Sequence, residues 1–237
     1  MIEKMKESFV SLLYPRRCPV CDGIVTGESL IHPKCKKSIK IVKGSTCLKC
    51  GKPIKDETAE FCSDCSKTRH IFDRGYALCR YRSVSGSVYR FKYSERREYA
   101  DFYGEEIAEY LGETIKTLKP DALIPVPMYR KKERIRGYNQ ATILAKAIGK
   151  RLGISVRDDL VVRCKNTVPM KLLDENQRKA NLKKAFNIAQ NEVKYKCIIL
   201  IDDIYTTGAT LDAVAKVFRD KGVKKIYFVT LAIGQVV

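Results

Sequence analysis

Residues 198–210 read IILIDDIYTTGAT, and the fold turns on this stretch. The apolar run Cys197–Ile201 predicts a buried strand, residues 202–208 a Gly/Thr loop, and residues 210–221 a helix. Such a loop can turn the consecutive backbone N–H groups of Tyr205–Ala209 inward. Thr206, Thr207 and Thr210 add hydroxyl donors. An anion held there also meets the positive end of the following helix. Gly208 lets the backbone come close to it. Asp202 and Asp203 fall at the carboxyl end of the strand, where ligands bind in open α/β sheets. They are suited to accept hydrogen bonds from the vicinal hydroxyls of a ribose.

The chain on either side supports a parallel sheet. Lys225–Ala232 predicts the next strand. Upstream, Ala122-Leu-Ile-Pro125 is a short apolar run that ends in the loop VPMYRKKERIRGYNQ. Arg130 to Arg136 in that loop carries five basic residues in seven, a density suited to a pyrophosphate. Residues 98–118 place Tyr103, Ile107, Leu111, Ile115 and Leu118 on one helical face. A second helix is expected over Gln140–Leu152, extended pieces near Val156 and Leu160–Val162, and a further helix near Asn176–Lys184. Strands alternating with helices imply a parallel sheet covered on both faces.

The first third has a different character. Residues 2–14 place Met5, Phe9, Leu12 and Leu13 on one helical face, stopped by Pro15. A cysteine- and lysine-rich segment follows to about Thr68, with too little apolar periodicity to bury a core unaided. It holds Cys18-x-x-Cys21 with His32-x-x-Cys35, then Cys47-x-x-Cys50 with Cys62-x-x-Cys65. A CxxC turn aims two thiolates at one point, and two such turns complete a tetrahedral zinc site. Gly51 relieves the turn after Cys50. Four protein ligands leave no open position, so both zinc ions are expected to be structural. Cys79, Cys164 and Cys197 stand apart and read as inert buried residues.

The formal net charge is +19 over 237 residues, which favours a polyanionic partner. No stretch approaches the roughly 20 apolar residues of a membrane span. The N-terminus lacks the apolar centre of a signal peptide. A cytoplasmic protein without membrane insertion is expected. There is no GxxxxGK[ST] loop, which sets a helicase role aside. Aromatics are scarce among the zinc-segment lysines, so sequence-specific reading of a single strand is not supported.

IILIDDIYTTGAT resembles the PRPP-binding motif of type I phosphoribosyltransferases. The chain as a whole resembles the ComF family, whose ComFC members act in natural transformation and whose relatives include GntX-type proteins. The resemblance rests on the double zinc module, Phe91-Lys92-Tyr93, PVPMYRKKERIRGYNQA from Pro125, Arg178-x-x-Asn181 before Ala185-Phe186, the 198–210 motif and the final strand. It implies an α/β fold, a type I phosphoribosyltransferase-like parallel sheet flanked by helices with a small N-terminal zinc-ribbon module. The expected units are 1–70 and 71–237.

The resemblance also implies PRPP with Mg²⁺ as ligand and transfer of its phosphoribosyl group to an unidentified acceptor. Asp202 and Asp203 would be the catalytic carboxylates. Tyr205, Thr206, Thr207, Gly208, Ala209 and Thr210 would hold the phosphate. Arg130, Lys131 and Arg134 would hold the pyrophosphate, and Arg178 would close the site. A part in DNA uptake is implied, with single-stranded DNA and a ComFA-like ATPase as partners. The alternative is a non-catalytic single-stranded DNA- or partner-binding protein on the same fold. Two positions depart from the family pattern: His32 stands where cysteine is usual, and Met170 where a T-x-x-Q segment has glutamine.

Overall fold

Six strands and six helices carry the architecture among the described residues of the computed structural model, which are 15–165, 185–189 and 194–234. The expected helices over 2–14 and near 176–184, together with Arg178 and Met170, lie outside the described residues. The strands are β1 (Arg74–Arg80), β2 (Ala122–Pro125), β3 (Val161–Arg163), β4 (Phe186–Ile188), β5 (Cys197–Tyr205) and β6 (Lys225–Ile233). The helices are α1 (Pro33–Lys36), α2 (Ser85–Tyr93), α3 (Tyr99–Thr117), α4 (Arg130–Arg136), α5 (Gln140–Leu152) and α6 (Ala209–Arg219).

The main sheet has the order β1-β6-β5-β2, with every pair parallel. β3 and β4 form a separate antiparallel pair. β5 is apolar on both faces, as a central parallel strand must be. It runs past the expected end at Ile201 because β6 keeps pairing with it, from Cys197↔Lys225 to Tyr205↔Ile233. Asp202 and Asp203 are therefore strand residues, not loop residues. β1 and α2, which sequence periodicity did not flag, fill the span between the zinc segment and α3.

Two cores lie on the two faces of the sheet. On one, Ile199, Ile201, Val229 and Leu231 pack with α3 and α5. Gly104 brings these helices together, since a Cβ there would lie 2.6 Å from the Ala147 Cβ. On the other face, Ile198, Leu200 and Phe228 pack against Leu211, Val214 and Phe218 of α6.

The zinc segment wraps the β1 edge. The Val42 N–H donates to the Leu78 carbonyl (2.9 Å), and the Arg80 and Gly75 N–H groups donate to the carbonyls of Lys40 and Lys49 (2.8 Å each). These bonds cover the backbone that an edge strand leaves unpaired. From that edge, Cys18, Val25, Ile31 and Ile39 enter the first core, and Cys47, Cys50 and Cys62 enter the second. No described helix is long and apolar enough to cross a membrane.

Candidate functional site

β5 carries both carboxylates to the carboxyl edge of the sheet. Adjacent strand residues point to opposite faces, and the two acids accordingly have different neighbours. Asp203 pairs with Lys92 at the end of α2, Nζ to Oδ2 2.8 Å. Burial works against the Lys92 charge, but Asp203 outweighs it and holds the ammonium above its ordinary value. Asp202 accepts from the Asp203 N–H (2.8 Å). Burial first, and the Asp203 carboxylate second, push Asp202 up to about 7, against the opposing pull of Lys92, that N–H and Arg163.

Past Tyr205 the chain turns through Thr206, Thr207 and Gly208 into α6. Gly208 has φ 78°, and no side chain caps the helix it opens. The first-turn N–H groups therefore face outward without a side-chain acceptor, the arrangement that receives an anion. Among the described residues, no protein hydrogen bond engages the hydroxyls of Thr206, Thr207 or Thr210. Asp202 and residues 204–211 line a pocket of about 30 Å³ at this turn.

The Tyr205 side chain is buried beneath the turn, stacked on Phe228 at 5.0 Å and edge-on to Phe72 at 6.3 Å. Only its backbone remains available to a phosphate. Gly208 is required partly from below. A Cβ there would fall 2.9 Å from the Tyr205 hydroxyl and 3.1 Å from His70 Cε1.

The basic stretch expected as a loop is α4, stopped by Gly137 at φ 82°. It can be a helix because all seven residues from Arg130 to Arg136 have fair helix propensity. The helix sorts the cations. Arg130, Lys131 and Arg134 are exposed, whereas Lys132 and Arg136 are half-buried. Lys92, Tyr93, Glu95, Lys132, Ile135 and Arg136 line a cleft of about 450 Å³, from which Lys92 reaches Asp203. Burial first, then Arg163 and Arg136, lower the Lys132 pKa. Such crowding of like charges favours an anion. Lys92, Lys132, Arg136 and Arg163 were not singled out from the sequence. Lys92 stood in a quoted motif without a role, and nothing local distinguished Lys132 and Arg136 from their exposed neighbours.

Both metal-ligand sets assemble. Cys18, Cys21, His32 and Cys35 bring one ligand atom each within 4.8 Å of one another, and so do Cys47, Cys50, Cys62 and Cys65. Tetrahedral zinc with Zn–S bonds of about 2.3 Å needs sulfurs roughly 3.8 Å apart. The Cys50 and Cys62 sulfurs are 3.7 Å apart, so the second set fits zinc. Burial above all, with repulsion from the Cys47 and Cys62 thiolates, pushes Cys50 up to about 12 against the pull of a backbone hydrogen bond from Lys52, a resistance that a bound divalent cation removes. In the first set His32 Nε2 lies 2.9 Å from the Ile24 carbonyl, which can only accept. Nε2 therefore carries the proton, and Nδ1, 3.3 Å from the Cys21 sulfur, presents its lone pair to a metal. His32 is thus placed where it can supply the fourth ligand in place of cysteine. Cys164 is exposed at the end of β3, not buried as expected.

Residues 9–66 match the double zinc ribbon domain, and residues 103–235 the phosphoribosyl transferase domain. The chain is 30% identical over 214 residues to Competence protein F of Haemophilus influenzae, covering 81% of this chain and 92% of that protein. It is 28% identical over 204 residues to Competence protein ComFC of Bacillus subtilis, covering 79% and 77%. It is 24% identical over 216 residues to DNA utilization protein YhgH of Escherichia coli K12, covering 89% and 94%.

Proposed function

This chain belongs to the ComF family of competence and DNA-utilization proteins, and from that membership we propose that its phosphoribosyltransferase domain binds PRPP and transfers the phosphoribosyl group to an acceptor used in DNA uptake. The observation that carries the reading is the uncapped start of α6, set beside two carboxylates and opposite a cation-lined cleft. Thr206, Thr207, Thr210 and the backbone from Tyr205 to Ala209 hold the 5-phosphate. Asp202 and Asp203 accept hydrogen bonds from the ribose hydroxyls, and Lys92 exchanges its carboxylate partner for the incoming ligand. Lys132 and Arg136 are better placed for the pyrophosphate than the exposed Arg130, Lys131 and Arg134.

In the transfer, the bond from the anomeric carbon to pyrophosphate breaks and a bond to the acceptor nucleophile forms, with pyrophosphate leaving. Positive charge develops on the ribose, so positioning and the two carboxylates supply the catalysis. Mg²⁺ arriving with PRPP would neutralise the pyrophosphate charge. Zinc at both cysteine sets is structural. We place the protein in the cytoplasm, where thiols stay reduced, and keep 1–70 and 71–237 as its two units.

One feature favours a second reading, in which the fold binds single-stranded DNA or a partner such as a ComFA-like ATPase without turnover. A groove of about 990 Å³ is lined by Lys36, Lys37, Lys40, Lys43, Arg80 and Tyr110, with Lys43 over the Tyr110 ring at 5.5 Å. Cations beside an aromatic face suit a nucleic acid strand.

The deciding experiment is calorimetric titration of PRPP with Mg²⁺ into zinc-loaded protein, beside the D202N/D203N double variant. Saturable binding by the wild type, lost in the variant, is expected. A folded wild type that gives no heat up to millimolar PRPP would sink the transferase reading in favour of the second.

A further inference from the structure

His70 follows the second zinc set by five residues and is buried at 6% exposure. Its Nδ1 lies 2.7 Å from Asp212 Oδ2, and the Ile71 N–H donates to Asp212 Oδ1 at 2.7 Å. Asp212 stands in the first turn of α6. An acid in the first turn ordinarily sets its negative charge against the positive start of its own helix. Here residues 70 and 71 take both oxygens, and the helix start keeps its donors for something else. The His70 ring stacks on Phe72 at 4.7 Å, and its Nε2 faces the Tyr205 hydroxyl at 3.5 Å. Burial keeps the Tyr205 phenol protonated. The floor of the turn is therefore made by residues attached to the second zinc set, which enters the same core as Phe72, Tyr205 and Phe228.

We infer that the second zinc ribbon is a working part of the phosphate-binding turn. His70 acts as a positioning residue that draws Asp212 away from the start of α6, so that zinc at Cys47, Cys50, Cys62 and Cys65 and a phosphorylated ligand at Thr206–Thr210 favour one another. The inference rests on the reading of the turn as a phosphate site and adds a coupling to it. If the ribbon loosens, His70 releases Asp212, whose carboxylate is then free to turn its charge towards the start of α6 and compete with the phosphate. The coupling is reciprocal, because each ligand must favour the other by the same factor.

Two measurements on the full zinc-loaded chain test it. In equilibrium competition with a chromophoric chelator, PRPP with Mg²⁺ should raise the apparent zinc affinity of one of the two sites about tenfold, a typical coupling. In calorimetry, His70→Ala should weaken PRPP binding by a similar factor while still holding two zinc ions. His70→Asn keeps a donor near Asp212 and should recover most of the loss. Asp212→Ala removes the competing carboxylate and should bind more tightly than His70→Ala, which separates this mechanism from general damage. Should His70→Ala fail to fold, the chelator experiment on the wild type decides alone. Wild-type binding of PRPP with no change in zinc affinity overturns the coupling and leaves the site reading intact. No binding by the wild type overturns both.

Discussion

The two ribbons make the same CxxC turn and fill the residue after the second cysteine differently. In both that residue lies in the left-handed region, Asp22 at φ 60° and Gly51 at φ 73°. Glycine is the expected occupant, and aspartate is one of few others that tolerate it. Gly51 is fixed by space, because a Cβ would sit 2.5 Å from the Gly75 carbonyl oxygen on β1. Asp22 is fixed by its carboxylate. It receives both Arg96 Nε (2.7 Å) and Nη2 (2.9 Å), and the Tyr99 hydroxyl at 2.7 Å. At this position the second ribbon is pressed onto the sheet edge, whereas the first, which also buries Cys18, Val25 and Ile31, is tied by polar bonds to Arg96 and to Tyr99 at the start of α3. Arg90 of α2 adds bonds to the carbonyls of Val20 and Pro19. The first ribbon thus braces the helix that carries Lys92, and the second packs under the turn that opens α6. One motif used twice is anchored to the two sides of the candidate site in two ways.

The largest effect that distinguishes them should come from the metal sets. Cys50→Ser removes a buried ligand whose neighbours sit in the core and should cost more than about 4 kcal/mol together with one zinc ion. Cys21→Ser, at an exposed ligand, should lose zinc with a smaller loss of stability. Metal stoichiometry and urea denaturation read both, and equal losses would remove the contrast.

Exchanging the two turn residues comes next. Gly51→Asp drives a side chain into the β1 backbone and should cost about 3 kcal/mol or more. Asp22→Gly relieves the backbone but strips Arg96 and Tyr99 of their acceptor, for about 1–2 kcal/mol. If Gly51→Asp proves the milder change, the packing account of the second ribbon is wrong.

The polar tie of the first ribbon should also be sensitive to acid. Hydrogen bonds from Arg96 are the main cause that lowers Asp22 from 3.8 to about 2. A depressed carboxylate contributes stability that is complete above the unfolded value and lost as pH falls through the folded one. The margin of wild type over Asp22→Asn should therefore be full above pH 4 and fade towards pH 2, followed by thermal melting.

The smallest change is at the meeting point of the two halves. Asp202, raised to about 7, loses stability on ionising, so the penalty grows as pH rises from 4 through 7. Asp202→Asn should melt like the wild type near pH 4 and be more stable by about 1 kcal/mol at pH 8, the discount reflecting the opposing cations. A variant less stable at pH 8 would mean that the carboxylate is held by attractions stronger than those seen.

Much of this was legible along the chain because its causes are local. The Cys197–Ile201 run, the acidic pair and the Thr/Gly turn are adjacent residues, and strand, turn and helix start follow from their order. The cysteine pairs announce their geometry through their spacing. The basic stretch before Gly137 is a helix rather than the expected loop, because its residues have fair helix propensity whatever their charge. Its sorting into exposed Arg130, Lys131 and Arg134 and half-buried Lys132 and Arg136 appears only once α4 is laid against the sheet.

By itself, then, the sequence determined the α/β class, the Thr/Gly turn between strand and helix, the position of the two carboxylates and both metal-ligand sets. Each depends on residues a few positions apart, within reach of backbone geometry. Only the tertiary structure decided which partner each carboxylate keeps, that Tyr205 faces inward, and that Asp212 answers to His70 across 142 residues. Those choices come from two cores closing on opposite faces of one sheet, and no local pattern records which distant side chains that closure brings together.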